Sequence, residues 1–400
     1  MVRDDGELTI GAALSLSGGN VRQARMAAAG LVEAVEDAAR SGGVTVDGRT
    51  LLPRLALLDD GGTGKGLHHA LDLLAGADLL IGPYGSGLAG EAGQWAAGHD
   101  RVVWNHGGSA DDVETLPWLV SLASPTSRYL AAVVEAIAGD GGAARQGDSH
   151  RPSGRSGQSA GRPLRILIGA GTGSFGRAAA AGASEAAAEL GLGVDGVVAP
   201  AEVPDRVDAD VLLLAGSFDD DVAVLRRLTS RPRVVAAVAA GLSEFRDAVG
   251  AHRAEGVLAP SQWEEGARYQ TDVGPRAVDV LRGLRSRLAP GLAPGTAGAH
   301  VEYPAAQAYA AVLLALHCTA QTGDTNDETL RAAARTLHCT TFFGRFALAA
   351  DGRQSAHDLL VTQWRNATKC IVAPPSQAEH PITTHPPAPP SGSVRQHDRS

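Results

Sequence analysis

The sequence predicts an α/β protein made of two lobes, each with a doubly wound parallel sheet. Residues 78–112 hold two short apolar runs, each ending in a Gly-rich turn, with an Ala-rich helical segment between them. A crossover of this kind makes its two strands parallel neighbours. Two more strand–helix pairs precede this unit, and a second series begins near residue 164. A chain of 400 residues gives each lobe enough length for its own core.

Apolar runs alternating with periodic, Ala-rich segments define the elements in order. The first series predicts strands over 8–14, 51–58, 79–81, 101–104 and 118–122, with helices over 21–40, 65–74, 88–97 and 128–138. The second predicts strands over 164–169, 211–215, 234–238 and 256–259, with helices over 176–190, 219–228 and 242–249. Helical periodicity returns over 274–289, 304–321 and 328–337, followed by strand-like residues 342–349 and 357–364.

Two segments lack any apolar periodicity. Residues 140–162 are rich in Gly, Ser and Arg, and residues 374–400 are polar and Pro-rich. Such compositions bury little apolar surface. We therefore expect a mobile insertion at 140–162 and a disordered tail at 374–400.

Charge and hydropathy narrow the set of partners. The net charge is −9 and no basic stripe occurs, so nucleic acid is not an expected partner. No apolar run approaches the roughly 20 residues of a membrane span, so we expect none. The first residues are acidic where a signal peptide would be basic. This pattern leaves the localisation open between export and the cytoplasm.

Several motifs occur in an order that identifies a family resemblance. They are IGAALSLSGG (10–19), LLDDGG (57–62), IGPYGSG (81–87), YPAAQAYAAVLLAL (303–316), FFGRFALAADGR (342–353) and VTQW (361–364). Together they resemble the type I periplasmic-binding-protein family, in its leucine/isoleucine/valine- and amide-binding branch. The resemblance implies two lobes joined by a three-crossing hinge: 1–121 with 265–338, and 122–264 with 339–373.

The resemblance also implies a function. It is non-catalytic binding of a small polar solute between the lobes, by a transporter component that meets a membrane permease or by a ligand sensor. A cytoplasmic regulatory module of the same fold, with a regulatory protein as its partner, is an alternative.

The family's cleft residues can be carried over position by position. Ser86, Gly108 and Ser109 match lobe-one positions that hold a ligand carboxylate or amide, and Gln23 falls where relatives place an aromatic. In lobe two, Phe175 and Phe218 match cleft aromatics. We add Trp263, which directly follows the return strand.

One departure from the family bears on the ligand. At 237–241 the sequence reads AVAAG, where amino-acid binders place an acid for the ligand ammonium. An unpaired buried ammonium would cost several kcal/mol unless Asp219 or Glu264 substitutes. Amino acid, amide and carboxylate ligands therefore all stay open.

A rival motif predicts an NAD(P)-dependent enzyme. Residues 171–176 (GTGSFG) form a literal G-x-G-x-x-G after a strand, and Asp195 lies about 20 residues further on. Against this, the loop overshoots the predicted strand end, and Asp195 falls at the entry of the next strand. We therefore expect no cofactor.

Catalytic and metal sites are not predicted either. Ser86 and Ser109 lack a His–acid pair at a recognisable spacing, although His106 could cap its turn or act as a base. The His317-Cys318 and His338-Cys339 pairs lack the Cys-x-x-Cys spacing of zinc sites. The sequence therefore favours binding without chemistry.

Overall fold

A computed structural model describes residues 6–18, 20–146, 164–288 and 300–384, without the side chains of 140–146. Lobe one contains strands β1 (Glu7–Leu14), β2 (Val44–Val46), β3 (Arg49–Asp59), β4 (Leu79–Ile81), β5 (Val103–Asn105) and β6 (Leu119–Ser121). Its first helices are α1 (Val21–Arg40), α2 (Gly64–Leu74), α3 (Ser86–His99) and α4 (Asp111–Glu114). The sheet order is β2-β3-β1-β4-β5-β6, and every pair is parallel except β2–β3.

Lobe two repeats this plan. Its helices are α5 (Ser127–Gln146), α6 (Ser174–Glu189), α7 (Phe218–Arg227), α8 (Glu244–Val249) and α9 (Ala251–Ala254), with 3-10 turns at Pro200–Glu202 and Val238–Gly241. Its parallel strands are β7 (Arg165–Ala170), β8 (Gly193–Val198), β9 (Val211–Ala215), β10 (Val234–Ala237) and β11 (Leu258–Ser261). Antiparallel strands β14 (Leu360–Arg365) and β15 (Thr368–Ala373) complete the order β15-β14-β11-β10-β9-β7-β8.

The segment between β11 and β14 returns to lobe one. It forms α10 (Ala277–Leu288), α11 (Tyr303–Thr322), α12 (Asp327–Thr336) and a hairpin of β12 (Cys339–Thr341) and β13 (Gly344–Phe346). The hairpin contributes Cys339, Phe342 and Phe346 to the lobe-one core, although the sequence grouped 339–373 with lobe two. The exact lobe boundaries stay a prediction.

Both sheets are covered by helices on both faces, which explains their continuous apolar strands. In lobe one, α1 and α11 pack on one face and α2 and α3 on the other. Two glycines allow close helix crossings. A Cβ on Gly30 of α1 would lie 2.1 Å from the carbonyl oxygen of Ala305, and one on Gly182 of α6 would lie 1.9 Å from that of Ser127.

The strand orders locate the cleft. In each sheet the order reverses beside the first strand of the lobe, between β1 and β4 and between β7 and β9. Open parallel sheets bind ligands at the carboxyl ends of the strands at such switch points. Contacts between α3 and α6 show that these two edges face each other.

Three chain crossings join the lobes, after β6, after β11 and between β13 and β14. Buried polar groups connect them. The Ser124 N–H donates to Gln262 Oε1 (2.9 Å), and Gln262 Nε2 donates back to the Ser124 carbonyl (3.0 Å). Ser124 Oγ donates to the His357 carbonyl (2.8 Å), and His357 Nε2 donates to the Gln262 carbonyl (2.8 Å). The hinge is therefore a single hydrogen-bonded unit.

The structure corrects two predictions based on composition. Helix α5 continues to Gln146, because Ala143-Ala144-Arg145-Gln146 are good helix formers; the insertion beyond 146 lies outside the described residues. The disordered tail is wrong for residues 374–384. Gln377 is buried and exchanges two hydrogen bonds with the backbone of Arg268, and Gln363 does the same with Thr383. Residues 385–400 lie outside the described range.

Candidate functional site

The lobe-one side of the cleft is formed by two adjacent turns, after β4 and after β5. The Gly85 N–H donates to the Gly107 carbonyl (3.0 Å), and Ser86 Oγ accepts from the Ala110 N–H (3.1 Å). Small residues permit this contact, since a Cβ on Gly108 would lie 2.1 Å from the Ala89 Cβ. The structure therefore brings together the predicted residues Ser86, Gly108 and Ser109.

A neutral amide holds the second turn. Asn105 Oδ1 accepts from the Gly108 N–H (2.9 Å), while its Nδ2 donates to the Gly108 carbonyl (2.6 Å) and to Ser121 Oγ (2.8 Å). Ser109 is 5% exposed, and its hydroxyl lies 3.0 Å from that of Thr126. The adjacent His106 is fully buried, and burial lowers its pKa to about 4. It is therefore neutral at pH 7.

Three tyrosine hydroxyls lie beside these turns. The Tyr84 and Tyr303 hydroxyls are 3.0 Å apart. Tyr129 accepts from Gln262 Nε2 (3.0 Å), and its ring meets Phe175 edge-on at 5.3 Å. Burial raises the pKa of all three, so they stay protonated at neutral pH. Sequence reasoning missed them; the signal available was a scarce aromatic at a strand end or in a first helical turn.

The lobe-two side is mainly apolar. Phe175 lies in the first turn of α6, and Phe218 begins α7; both are half-buried. The Ala- and Gly-rich turn Val238–Gly241 packs against α7, beside Phe218. Under it, the buried carboxylate of Asp221 accepts from the Gly216 N–H (2.8 Å) and the Ala239 N–H (3.2 Å). Burial raises the pKa of Asp221 to about 7.

Two polar contacts join the lobes at the mouth of the cleft. Arg22 of α1 pairs with Glu244 of α8, and its guanidinium lies 4.8 Å from the centroid of the Phe218 ring. Glu302 Oε1 accepts from the Ser243 N–H (2.5 Å). The predicted residue Gln23 follows Arg22 in the first turn of α1 and is half-buried.

The remaining predicted residues lie in other surroundings. Trp263 is 1% exposed in the lobe-one core, where its indole N–H donates to the Phe342 carbonyl (3.0 Å). Asp219 is exposed in the first turn of α7. Glu264 is buried and pairs with Lys369 (2.8 Å). An acid paired in this way is not free to meet a ligand ammonium.

The dinucleotide interpretation is not supported by the position of its acid. Strand β7 runs to Ala170, so the Gly171 loop follows the strand directly, contrary to the first sequence objection. The second objection holds, because Asp195 lies near the start of β8 and pairs with Arg165 at the start of β7. The Asp195 carboxylate therefore lies at the amino ends of the strands, whereas the Gly171 loop lies at their carboxyl ends.

The two cysteines of the His–Cys pairs lie in the lobe-one core. Cys318 and Cys339 are buried free thiols whose pKa values burial raises to about 12. Within the described ranges, no group of three or more His, Cys, Asp or Glu side chains is arranged to hold a metal ion. No described helix is long and apolar enough to cross a membrane.

Two doubly wound lobes facing each other across a cleft, with a three-crossing hinge, define a bilobal solute-binding protein. A family model for periplasmic binding proteins matches residues 7–369, and the chain belongs to that family. No curated protein matches the sequence.

Solved structures share this fold at low sequence identity. The branched-chain amino acid transporter substrate-binding protein LivJ from Streptococcus pneumoniae, in complex with isoleucine, is 13% identical, with a TM-score of 0.70 over 92% of this chain and 100% of that one. The leucine-binding protein LivK from Thermotoga maritima is 14% identical, with a TM-score of 0.71 over 92% of this chain and 98% of that one. An ABC-transporter solute-binding protein from R. palustris, in complex with benzoate, is 13% identical, with a TM-score of 0.68 over 92% of this chain and 95% of that one.

Proposed function

We propose that this chain binds a small solute carrying a carboxylate, or an amide oxygen in its place, and delivers it to a membrane permease. The observation that carries this proposal is the contrast at the two switch points. Lobe one presents hydroxyls at Ser86 and Ser109, whereas lobe two presents aromatic rings and the Val238–Gly241 turn. The transporter descriptions of the similar structures support the permease as partner.

Backbone dipoles favour an anion in the cleft. Helices α1, α3 and α6 all begin at this edge, and none has a side-chain hydrogen bond at its N-cap. The first N–H groups of a helix carry partial positive charge and are a common site for carboxylates.

Of the two acids that could receive a ligand ammonium, Glu264 is already paired with Lys369, and Asp219 is exposed in the first turn of α7. Three other described carboxylates near the cleft are engaged: Glu244 pairs with Arg22, and Asp221 and Glu302 accept backbone N–H groups. A buried ammonium would displace one of these interactions or stay unpaired. We therefore favour a carboxylate without an α-amino group.

The proposed role is binding without catalysis. The Ser86 and Ser109 hydroxyls bond to a backbone N–H and to Thr126, and neither bonds to a histidine in the described part of the chain. The nucleophile–base contact that acyl-transfer chemistry uses is not formed.

A matched set of probes tests the proposal. L-leucine, 4-methylpentanoate (the same skeleton without the amino group) and benzoate are titrated by calorimetry. We expect 4-methylpentanoate or benzoate to bind more tightly than leucine, and Ser86→Ala to weaken that binding by about 10- to 100-fold. A variant of an exposed hydroxyl away from the cleft, Thr45→Ala, serves as control. Tighter binding of leucine than of 4-methylpentanoate would reverse the assignment.

A further inference from the structure

Tyr129 occupies a special place between the cleft and the hinge. It lies in the first turn of α5, directly after the first crossing, and is 7% exposed. Its ring contacts Phe175 of the lobe-two wall. Its hydroxyl is within reach of Ser109 on the lobe-one side and of Gln262 in the second crossing. One side chain therefore contacts both walls of the cleft and the hinge.

Counting protons shows that the Tyr129 hydroxyl has an unused donor. The amide nitrogen of Gln262 can donate a hydrogen bond but cannot accept one, so the phenolic oxygen is the acceptor in their 3.0 Å contact. Ser109 Oγ also donates toward this oxygen, over a long 3.5 Å. The phenolic proton itself has no acceptor among the described residues. A buried donor without an acceptor is costly, and a ligand oxygen would satisfy it.

A second unused proton lies nearby. Tyr84 and Tyr303 share one hydrogen bond, which leaves the other phenolic proton of this pair without a protein acceptor. Burial raises the pKa of both hydroxyls, so both stay protonated at neutral pH. Together with Tyr129, this pair supplies two neutral hydroxyl donors, and a carboxylate has two acceptor oxygens.

We propose that Tyr129 donates its phenolic proton to an oxygen of the bound solute and so connects that solute to Gln262 in the hinge. The solute half of this inference rests on the proposed function. Gln262 also holds the Ser124 N–H (2.9 Å) and carbonyl (3.0 Å) of the first crossing. A change at the Tyr129 hydroxyl therefore reaches two of the three crossings through one side chain. Tyr129 is both a ligand-binding residue and a positioning residue for closure.

The hinge half is tested without any ligand. Spin labels are placed at the exposed positions Leu73 in lobe one and Leu190 in lobe two, with Cys370 replaced by serine. We expect Tyr129→Phe to broaden the interlobe distance distribution measured by pulsed electron resonance. The matched control is Tyr309→Phe, which removes a buried hydroxyl bonded to Asp37 in the lobe-one core. Identical distributions for both variants and the unmutated protein would overturn the hinge connection.

The ligand half uses 4-methylpentanoate and benzoate. We expect Tyr129→Phe to weaken binding by about 10- to 100-fold and to remove a tyrosine difference band in the near-ultraviolet, while Tyr309→Phe leaves both unchanged. Unweakened binding by Tyr129→Phe overturns the donor role and leaves the proposed function standing. Failure of the unmutated protein to bind either probe overturns the carboxylate function and the donor role together, and the ligand-free measurement still decides the hinge connection.

Discussion

Lobe one and lobe two share a strand order but present different chemistry to the cleft. Lobe one contributes Ser86, Ser109 and the Tyr84–Tyr303 hydroxyl pair. Lobe two contributes mainly rings and a small-residue turn, with the Tyr129 hydroxyl of α5 as its polar group. A ligand can shift the equilibrium between the open and closed forms only by the difference between its affinities for these two forms. We infer that lobe one selects the solute, whereas the contacts added by lobe two drive closure.

The side chains that anchor a cleft turn in each lobe, after β5 in lobe one and after β9 in lobe two, differ in the same way. Asn105 holds the lobe-one turn through a neutral amide, whereas Asp221 holds the lobe-two turn and the Val238–Gly241 segment through a buried carboxylate. Burial raises the pKa of Asp221 from its ordinary 3.8 to about 7. The contribution of the Asp221 anchor to stability should therefore depend on pH between about 4 and 7, whereas the Asn105 amide does not titrate.

The largest expected effect comes from exchanging these anchors. Between pH 4 and pH 7 the folded state keeps the Asp221 proton, whereas the unfolded state has lost it. Asp221 therefore makes the free energy of unfolding fall as pH rises, by up to a few kcal/mol. This fall levels off above about pH 7. Asp221→Asn should flatten that part of the urea-unfolding profile. Asn105→Asp should create a similar fall in lobe one. Parallel pH profiles for Asp221→Asn and the unmutated protein would contradict this assignment.

The sequence predicted the parts of the fold that depend on local patterns. Apolar runs located most strands of the two sheets but not the edge strands β2 and β15, and two Gly-rich turns after neighbouring strands predicted that Ser86, Gly108 and Ser109 would meet. These features follow from chain neighbours and from the rule that parallel strands end at one edge.

Long-range polar contacts were not predictable in this way. Tyr84, Tyr129 and Tyr303 come from a turn and two helix starts that only the fold brings together. Composition also misassigned residues 374–384, since Gln377 and Thr383 are held by hydrogen bonds to distant residues. Each of these contacts depends on a partner more than 15 residues away, which no local window contains.

A medium effect is expected where helices cross closely in each lobe. A methyl group at Gly30 or at Gly182 would meet a backbone carbonyl, which cannot move without shifting a helix. Overpacking of this kind typically costs about 1–3 kcal/mol. Gly30→Ala and Gly182→Ala should each lower the urea midpoint, while Gly98→Ala on the open face of α3 should not. A loss in only one lobe would show that the two crossings are not equivalent.

The smallest expected effect concerns the contact that joins the lobes at the mouth. Arg22→Ala removes both the ion pair with Glu244 and the cation over the Phe218 ring, but both charged side chains are about half exposed. Such contacts contribute less than about 1 kcal/mol each and weaken with salt. The ligand-free protein should therefore open, by a less than about 30-fold change in the ratio of closed to open forms, and the difference should vanish near 1 M salt. The control is Arg54→Ala, which breaks an equally exposed pair with Glu7 inside lobe one. If interlobe distances respond alike to Arg22→Ala and Arg54→Ala, the mouth contact does not hold the lobes together, and closure depends on the solute and the hinge alone.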